Sequence, residues 1–354
     1  MTIGITIIIG LAVLSVLVFV HELGHFITAK ASGVRVEEFG LGFPPRLLSV
    51  KRGETRYSLN VILFGGFTKL AGEEDPKVPR SLASKSVGTR LLVISAGSLM
   101  NLLLPLFLFS VAFMVPHDVV VGQVLVAEVA PNSPAARAGI EPGDALLEVN
   151  GNSVRNTGDI HRYIQLNLGN EVTMLVKRSD LTTEEVQVIP RWRPPEGQGA
   201  IGVAIKTSNP TIVSQHYPFW RAIPMGVVEC IETFILFKNG IISTIIGTMP
   251  VVVAGPVGIV QLTGEVAQAG ISPLLEFAAF ISIALGIFNL FPLPAIDGGR
   301  IVFVLLEVVR RGKRVSPKTE GLVHTIGFIL LLTVLLIITY QDIIRIITGE
   351  SLIP

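Results

Sequence analysis

Apolar residues run almost unbroken from about 4 to 28, from about 91 to 115 and from about 321 to 341, each long enough to cross the hydrocarbon of a bilayer as a helix. A fourth apolar stretch, about 272 to 306, is interrupted by Asn289, Pro292, Pro294 and Asp297. Between about 119 and 206 the pattern changes to short β-branched runs (VGQVLVAEV, EVTMLVKR, EEVQVIP, AIGVAI) separated by Gly, Pro and Asn turns, which predicts a small β-rich domain. Residues 55–70 (TRYSLNVILFGGFTKL) alternate as a strand does and end in Gly65-Gly66-Phe67. Residues 241–260 are apolar enough to suggest another span, but Gly247, Pro250, Gly255 and Pro256 interrupt any helix there. The reading is therefore a four-span α-helical membrane protein carrying one β-rich domain. Its segments are a first span (1–30), a loop with a strand hairpin (31–90), a second span (91–115) and the β-rich domain (118–207). Interfacial helices and linker (208–270), the broken third span (271–306), a basic loop (307–320) and a fourth span (321–347) complete it.

Composition agrees with a membrane setting: half of the 354 residues are hydrophobic and 16% are charged. Residues 1–20 lack a Lys/Arg-rich start and a small-residue cleavage site, so they are expected to remain as a span. The net charge of +1 suggests neither a nucleic-acid partner nor an acidic tail, but the placement of charge is informative. Lys30, Arg35, Arg46, Lys51, Arg52, Arg56, Lys69, Lys77, Arg80, Lys85 and Arg90 fill the loop between the first two spans, and RRGKRVSPK precedes the last span. By the positive-inside rule both loops are cytoplasmic, so four spans put the β-rich domain and both termini outside. The basic residues are spread without interleaved aromatics, which suits anionic lipid better than nucleic acid.

The chemistry-bearing motif is His21-Glu22-Leu23-Gly24-His25 at the end of the first span. Histidines at i and i+4 share a helical face and present two imidazoles to one ion, with the intervening Glu as a general base. Cys230 is the single cysteine, so a metal must be held by His and carboxylate groups. Catalytic zinc takes three protein ligands and leaves one position for water. Asp297, in NLFPLPAIDGG, is the candidate third ligand, because the prolines break the helix and let its carboxylate turn inward at a similar depth. It could also cap the helix that follows. His117, His161, His216 and His324 have no ligand partners at useful spacing and read as surface or interfacial residues. A metal or proton transporter, or an inert scaffold with a structural metal, would use the same ligands, and Glu22 is what separates a hydrolase from either.

Within the β-rich domain, Ser133 to Gly151 (SPAARAGIEPGDALLEVNG) resembles the core of a PDZ domain. Pro134 would start a short helix, Gly139 would end it, and Asn150-Gly151 is a hairpin signal. With the His-Glu-x-x-His motif and Asn-x-x-Pro-x-Pro-x-x-Asp-Gly at Asn289 to Gly298, the chain resembles the site-2 proteases of the regulator of sigma-E protease type. Ile296 stands where that family usually has Leu.

The resemblance implies a zinc endopeptidase of regulated intramembrane proteolysis in a bacterial inner membrane, cutting single-span membrane proteins such as anti-sigma factors or remnant signal peptides. It implies Zn²⁺ on His21, His25 and Asp297, with Glu22 as base. It also implies that Asn289 holds substrate backbone, that Gly65 and Gly66 belong to a membrane-associated β-hairpin, and that Asn101 is a second polar substrate position. A helix-break cap for Asn289, a plain loop for residues 55–70 and span packing for Asn101 remain open. The PDZ domain would filter substrates by size or read their exposed C-termini.

Overall fold

The computed structural model describes residues 3–73, 75–249 and 254–348. From the N-terminus, helix α1 (Ile3–Ala31) leads into strands β1 (Val36–Arg52) and β2 (Thr55–Leu70), then helix α2 (Val87–Met114). A second group follows: β3 (His117–Val129), α3 (Pro134–Arg137), β4 (Ala145–Val149), β5 (Asn152–Ser153), α4 (Thr157–Leu166), β6 (Val172–Lys177), β7 (Thr183–Val188), β8 (Val203–Gln215) and α5 (Phe219–Ile245). The chain ends with α6 (Pro256–Ala269), α7 (Ile271–Leu290), α8 (Asp297–Val309) and α9 (Pro317–Thr348). It divides into two compact units, residues 1–112 with 252–354, and residues 113–251.

In the first unit, α1, α2, α7 and α9 are long and apolar enough to span a membrane among the described residues. Glycines let these helices approach closely, as small residues do where helices pack without a hydrophobic driving force. A Cβ on Gly24 of α1 would collide with Ala96 and Met100 of α2, and one on Gly10 would meet Val260 of α6. Arg90 and Glu307, both buried, form an ion pair that ties α2 to α8 at 2.5 Å. The fourth span, expected over 321–347, also carries a fully buried acidic residue, Asp342. Asp342 accepts a hydrogen bond from the Gly258 N–H at the start of α6 (2.8 Å) and pairs with Arg345 (2.8 Å). The hydropathy pattern hid it because α9 keeps its apolar character on both sides of that residue.

β1 and β2 form an antiparallel pair whose register shifts repeatedly. Residues 38–41 of β1 pair both with 56–59 and with 66–69 of β2, while 46–52 pair with 55–60. The hairpin therefore folds on itself into four short segments in the order 66–70, 36–41, 55–60, 46–52. Its outer segment, Gly66–Leu70, has a ladder partner on one side only among the described residues. Register slips of this kind let a two-strand unit curl, and they leave one backbone edge able to accept another strand.

The second unit is a sheet in the order β7-β6-β4-β3-β8, with β5 beside β4. Val124, Val126, Leu146, Val149, Val172, Met174 and Val176 fill its core; β3 and β6 alternate, while a register shift between Leu146 and Glu148 lets β4 bury both Leu146 and Val149. The turn signals act as expected. The Ser133 side chain accepts from the Ala136 N–H, Pro134 opens α3, and Asn150 and Gly151 take positive φ in the two-residue turn joining β4 to β5. The last strand continues past the expected boundary at 207, to Gln215, in a long ladder with β3. Asn209-Pro210 forms an irregularity within the ladder, where Asn209 adopts φ +49°. Helix α5, expected among the linker elements, packs on this domain: Arg162 of α4 pairs with Glu229 and Glu232, each at 2.7 Å, and Asn239 donates to the Gln165 carbonyl.

Candidate metal centre and peptide edge

His21 and His25 project from one face of α1, one turn apart, and both are buried. The His25 Nδ1–H donates to the Val93 carbonyl of α2 at 2.8 Å. A carbonyl can only accept, so this bond places the ring proton on Nδ1 and leaves Nε2 with a lone pair facing His21. The opposite imidazole edge is thereby oriented as metal-binding histidines usually are.

Asp297 reaches the same point from α8. The Phe291–Ile296 segment turns the chain sharply after α7, with Pro292 and Pro294 excluding helix and Ala295 at φ +78°. A Cβ on Gly298 would collide with the Phe291 carbonyl and one on Gly299 with that of Leu293, so the Asp-Gly-Gly sequence is what lets α8 begin this tightly. Asp297 is the first residue of α8, while the N-cap position belongs to Ile296, which makes no side-chain bond. The carboxylate is therefore directed at the histidines instead of capping its own helix.

Three atoms converge as a result. His21 Nε2 and His25 Nε2 are 3.1 Å apart, and Asp297 Oδ2 lies 3.1 Å from the first and 3.2 Å from the second. A tetrahedral ion with ligand bonds near 2.0 Å separates its ligand atoms by about 3.3 Å, so this triangle has the size of one face of a zinc coordination shell. The chemistry fits as well. At least one imidazole contributes a lone pair, and Asp297 Oδ2 is buried without a hydrogen bond, an arrangement that a cation would stabilise. Among the described residues this is the one such His and carboxylate cluster. Gly97 of α2 lies beside it, where a Cβ would overlap Nε2 of both imidazoles.

Glu22 lines a cavity of about 350 Å³ together with His25, Asp297, Ala295, Ile296, Arg300 and the Phe67–Leu70 segment of β2. The Thr68 hydroxyl donates to the Glu22 carbonyl at 3.0 Å, fixing the strand to α1. A Cβ on Gly66 would lie 3.3 Å from Glu22 Cγ, so the backbone passes against that side chain. The free strand edge, the acid and two members of the three-atom cluster, His25 and Asp297, thus share one space. Two cavity residues escaped the sequence reading: Arg300, on the face of α8 one turn beyond Asp297, and Glu73, which pairs with it at 2.7 Å and accepts from the Leu70 N–H. Their only signal was the i, i+3 spacing of Arg300 from Asp297.

The other sequence candidates lie further out. Asn289 is part-exposed in the last turn of α7 and does not line this cavity. Asn101 is buried one turn beyond Gly97, its backbone carbonyl accepting from Ser282 and its amide oxygen without a partner. Gly65, at φ +108°, precedes the paired segment of β2. His324, expected at a surface, is instead packed on the turn before Asp297, where its Nδ1 accepts from the Ala295 N–H at 3.0 Å.

Peptidase family M50 matches residues 9–334. The chain belongs to Peptidase family M50. A Clostridium perfringens relative, named provisionally as a zinc metalloprotease, is 39% identical over 96% of this chain and 98% of its own length. The zinc metalloprotease RasP of Geobacillus kaustophilus is 29% identical over 94% and 96%, and that of Oceanobacillus iheyensis 26% identical over 96% and 99%. This M50 peptidase is accordingly a zinc metalloprotease, a polytopic membrane protein that carries a β-rich domain.

Proposed function

We propose that this M50 peptidase is an intramembrane endopeptidase of regulated intramembrane proteolysis, with His21, His25 and Asp297 as zinc ligands and Glu22 as general base. The observation that carries this reading is the triangle of ligand atoms, 3.1–3.2 Å on each side, two of whose residues, His25 and Asp297, line one cavity with Glu22 and a strand with an open edge. When bound, zinc supplies Lewis acidity toward a peptide carbonyl and a water. Glu22 takes the proton of the attacking water and returns it to the leaving amide nitrogen. Its position next to His21 turns it about a quarter-turn or more around α1 from the ligand face, so it serves as base without acting as ligand.

A transmembrane helix cannot be cut while its amides are bonded to one another. The Gly66–Leu70 edge answers that problem, because an unwound substrate can add to it as a strand and exchange helix hydrogen bonds for sheet ones. Such an edge favours a peptidase over a metal or proton transporter, which has no use for it. The basic loops favour a hairpin and metal centre toward the cytoplasm of a bacterial inner membrane and a PDZ domain outside. The hairpin would then rest at the membrane surface, with Leu47, Leu48 and Val50 exposed on it. Substrates are single-span proteins, with anti-sigma factors and remnant signal peptides suggested by the family resemblance. The PDZ domain would screen them by size or by their exposed C-termini.

The test is cleavage of a single-span reporter by the purified protein in bilayers, with the cut mapped by mass spectrometry. The expected cut lies in the cytoplasmic half of the span. A cut confined to an extracytoplasmic loop would refute the placement.

A further inference from the structure

Helix α9 is almost entirely exposed, as a lipid-facing helix should be, yet one of its faces meets the turn that carries Asp297. His324 Nδ1 accepts the hydrogen bond of the Ala295 N–H at 3.0 Å. Three residues along, on the same face, Gly327 is buried against Pro294, and a Cβ there would overlap the proline ring. The Phe303 ring of α8 lies beside the imidazole, with centroids 5.5 Å apart, and restricts its orientation. Ala295 itself stands at φ +78°, a left-handed conformation that a residue with a Cβ adopts at a cost.

We propose that His324 is a positioning residue of the metal centre, holding Ala295 in its left-handed conformation and thereby aiming the Asp297 carboxylate at His21 and His25. Asp297 follows Ala295 by two residues, so the dihedral angles of Ala295 set where α8 begins and where its first side chain goes. The bond from His324 ties the backbone of the Phe291–Ile296 turn to α9. The helix face formed by His324 and Gly327 thus acts on the site from outside the three ligating side chains. This inference rests on Asp297 being a zinc ligand. Partners that orient metal ligands typically contribute 10- to 100-fold in metal affinity.

The experiment is a double-mutant cycle read by zinc retention against a chelator in the purified full-length protein. His324→Ala is expected to weaken zinc binding about tenfold. His324→Asn keeps an acceptor where Nδ1 was and is expected to stay near wild type. Glycine occupies positive φ without help, so in an Ala295→Gly background the loss caused by His324→Ala should nearly vanish. Equal losses in the two backgrounds, or His324→Asn as weak as His324→Ala, would overturn the proposal. Asp297→Asn separates the two readings: unchanged zinc in that variant refutes the ligand assignment itself. Zinc lost in Asp297→Asn but retained fully in His324→Ala refutes the positioning role alone.

Discussion

Gly66 of β2 lies against the side chain of Glu22, near enough that a Cβ would stand 3.3 Å from Glu22 Cγ and 3.1 Å from the Gly40 carbonyl. This approach sets the open strand edge beside the acid that would activate water. A methyl group is tight there, and a branched side chain must push either the strand or Glu22 aside. Gly66→Val is expected to lower the rate of reporter cleavage at least tenfold while zinc content stays at the wild-type level, since displacement of a reacting group by about 1 Å can cost 100-fold. Loss of zinc together with activity would mean that the strand supports the ligands and not the substrate.

Gly97 makes the opposite prediction. A Cβ on this residue overlaps Nε2 of both His21 and His25, so Gly97→Ala must displace at least one imidazole. Zinc retention against a chelator should fall at least 100-fold, within the range expected when one of three ligands is lost. Wild-type zinc affinity in this variant would contradict the close approach of α1 and α2.

The hairpin should weaken in acid. Glu38 is buried in β1, which by itself raises its carboxyl pKa, but the fork of Arg46, bonded at 2.9 and 2.6 Å, outweighs burial and holds it below the ordinary value of 4.5. A carboxylate with a depressed pKa contributes stability above its unfolded-state value and loses it as the pH falls from about 4.5 through the folded-state value. Arg46 is nearly half exposed, so the pair is worth about 1 kcal/mol. Amide exchange in β1 and β2, corrected for its intrinsic pH dependence, should rise about fivefold below that pH. The response should shrink in Glu38→Gln, leaving the part due to Glu37, which Arg35 and Lys69 hold below the usual carboxylate range, and to Glu54 beside Lys30 and Arg80. The same pH response in the variant would assign the effect elsewhere.

These predictions draw on features that were unequally legible in the sequence. His21, Glu22 and His25 were readable because a helix fixes the relation of residues four apart, and Asp297 because two prolines announce the break that turns it inward. The strands of the β-rich domain were readable from alternation and from turn residues such as Asn150-Gly151. Gly97 and His324 were not read as parts of the site, since their roles arise where two helices distant in sequence touch. The doubled pairing of β1 was hidden for a related reason: alternation predicts strands, but it does not say which half of β2 residues 38–41 will face.

The central claim is that Glu22 acts on water at a metal held by His21, His25 and Asp297. Its most direct measurement is zinc content alongside reporter cleavage in Glu22→Gln and Asp297→Asn. The account predicts about one zinc per chain in Glu22→Gln with cleavage reduced at least 1,000-fold, and loss of both zinc and cleavage in Asp297→Asn. Cleavage at the wild-type rate in Glu22→Gln, or full zinc in Asp297→Asn, would contradict it.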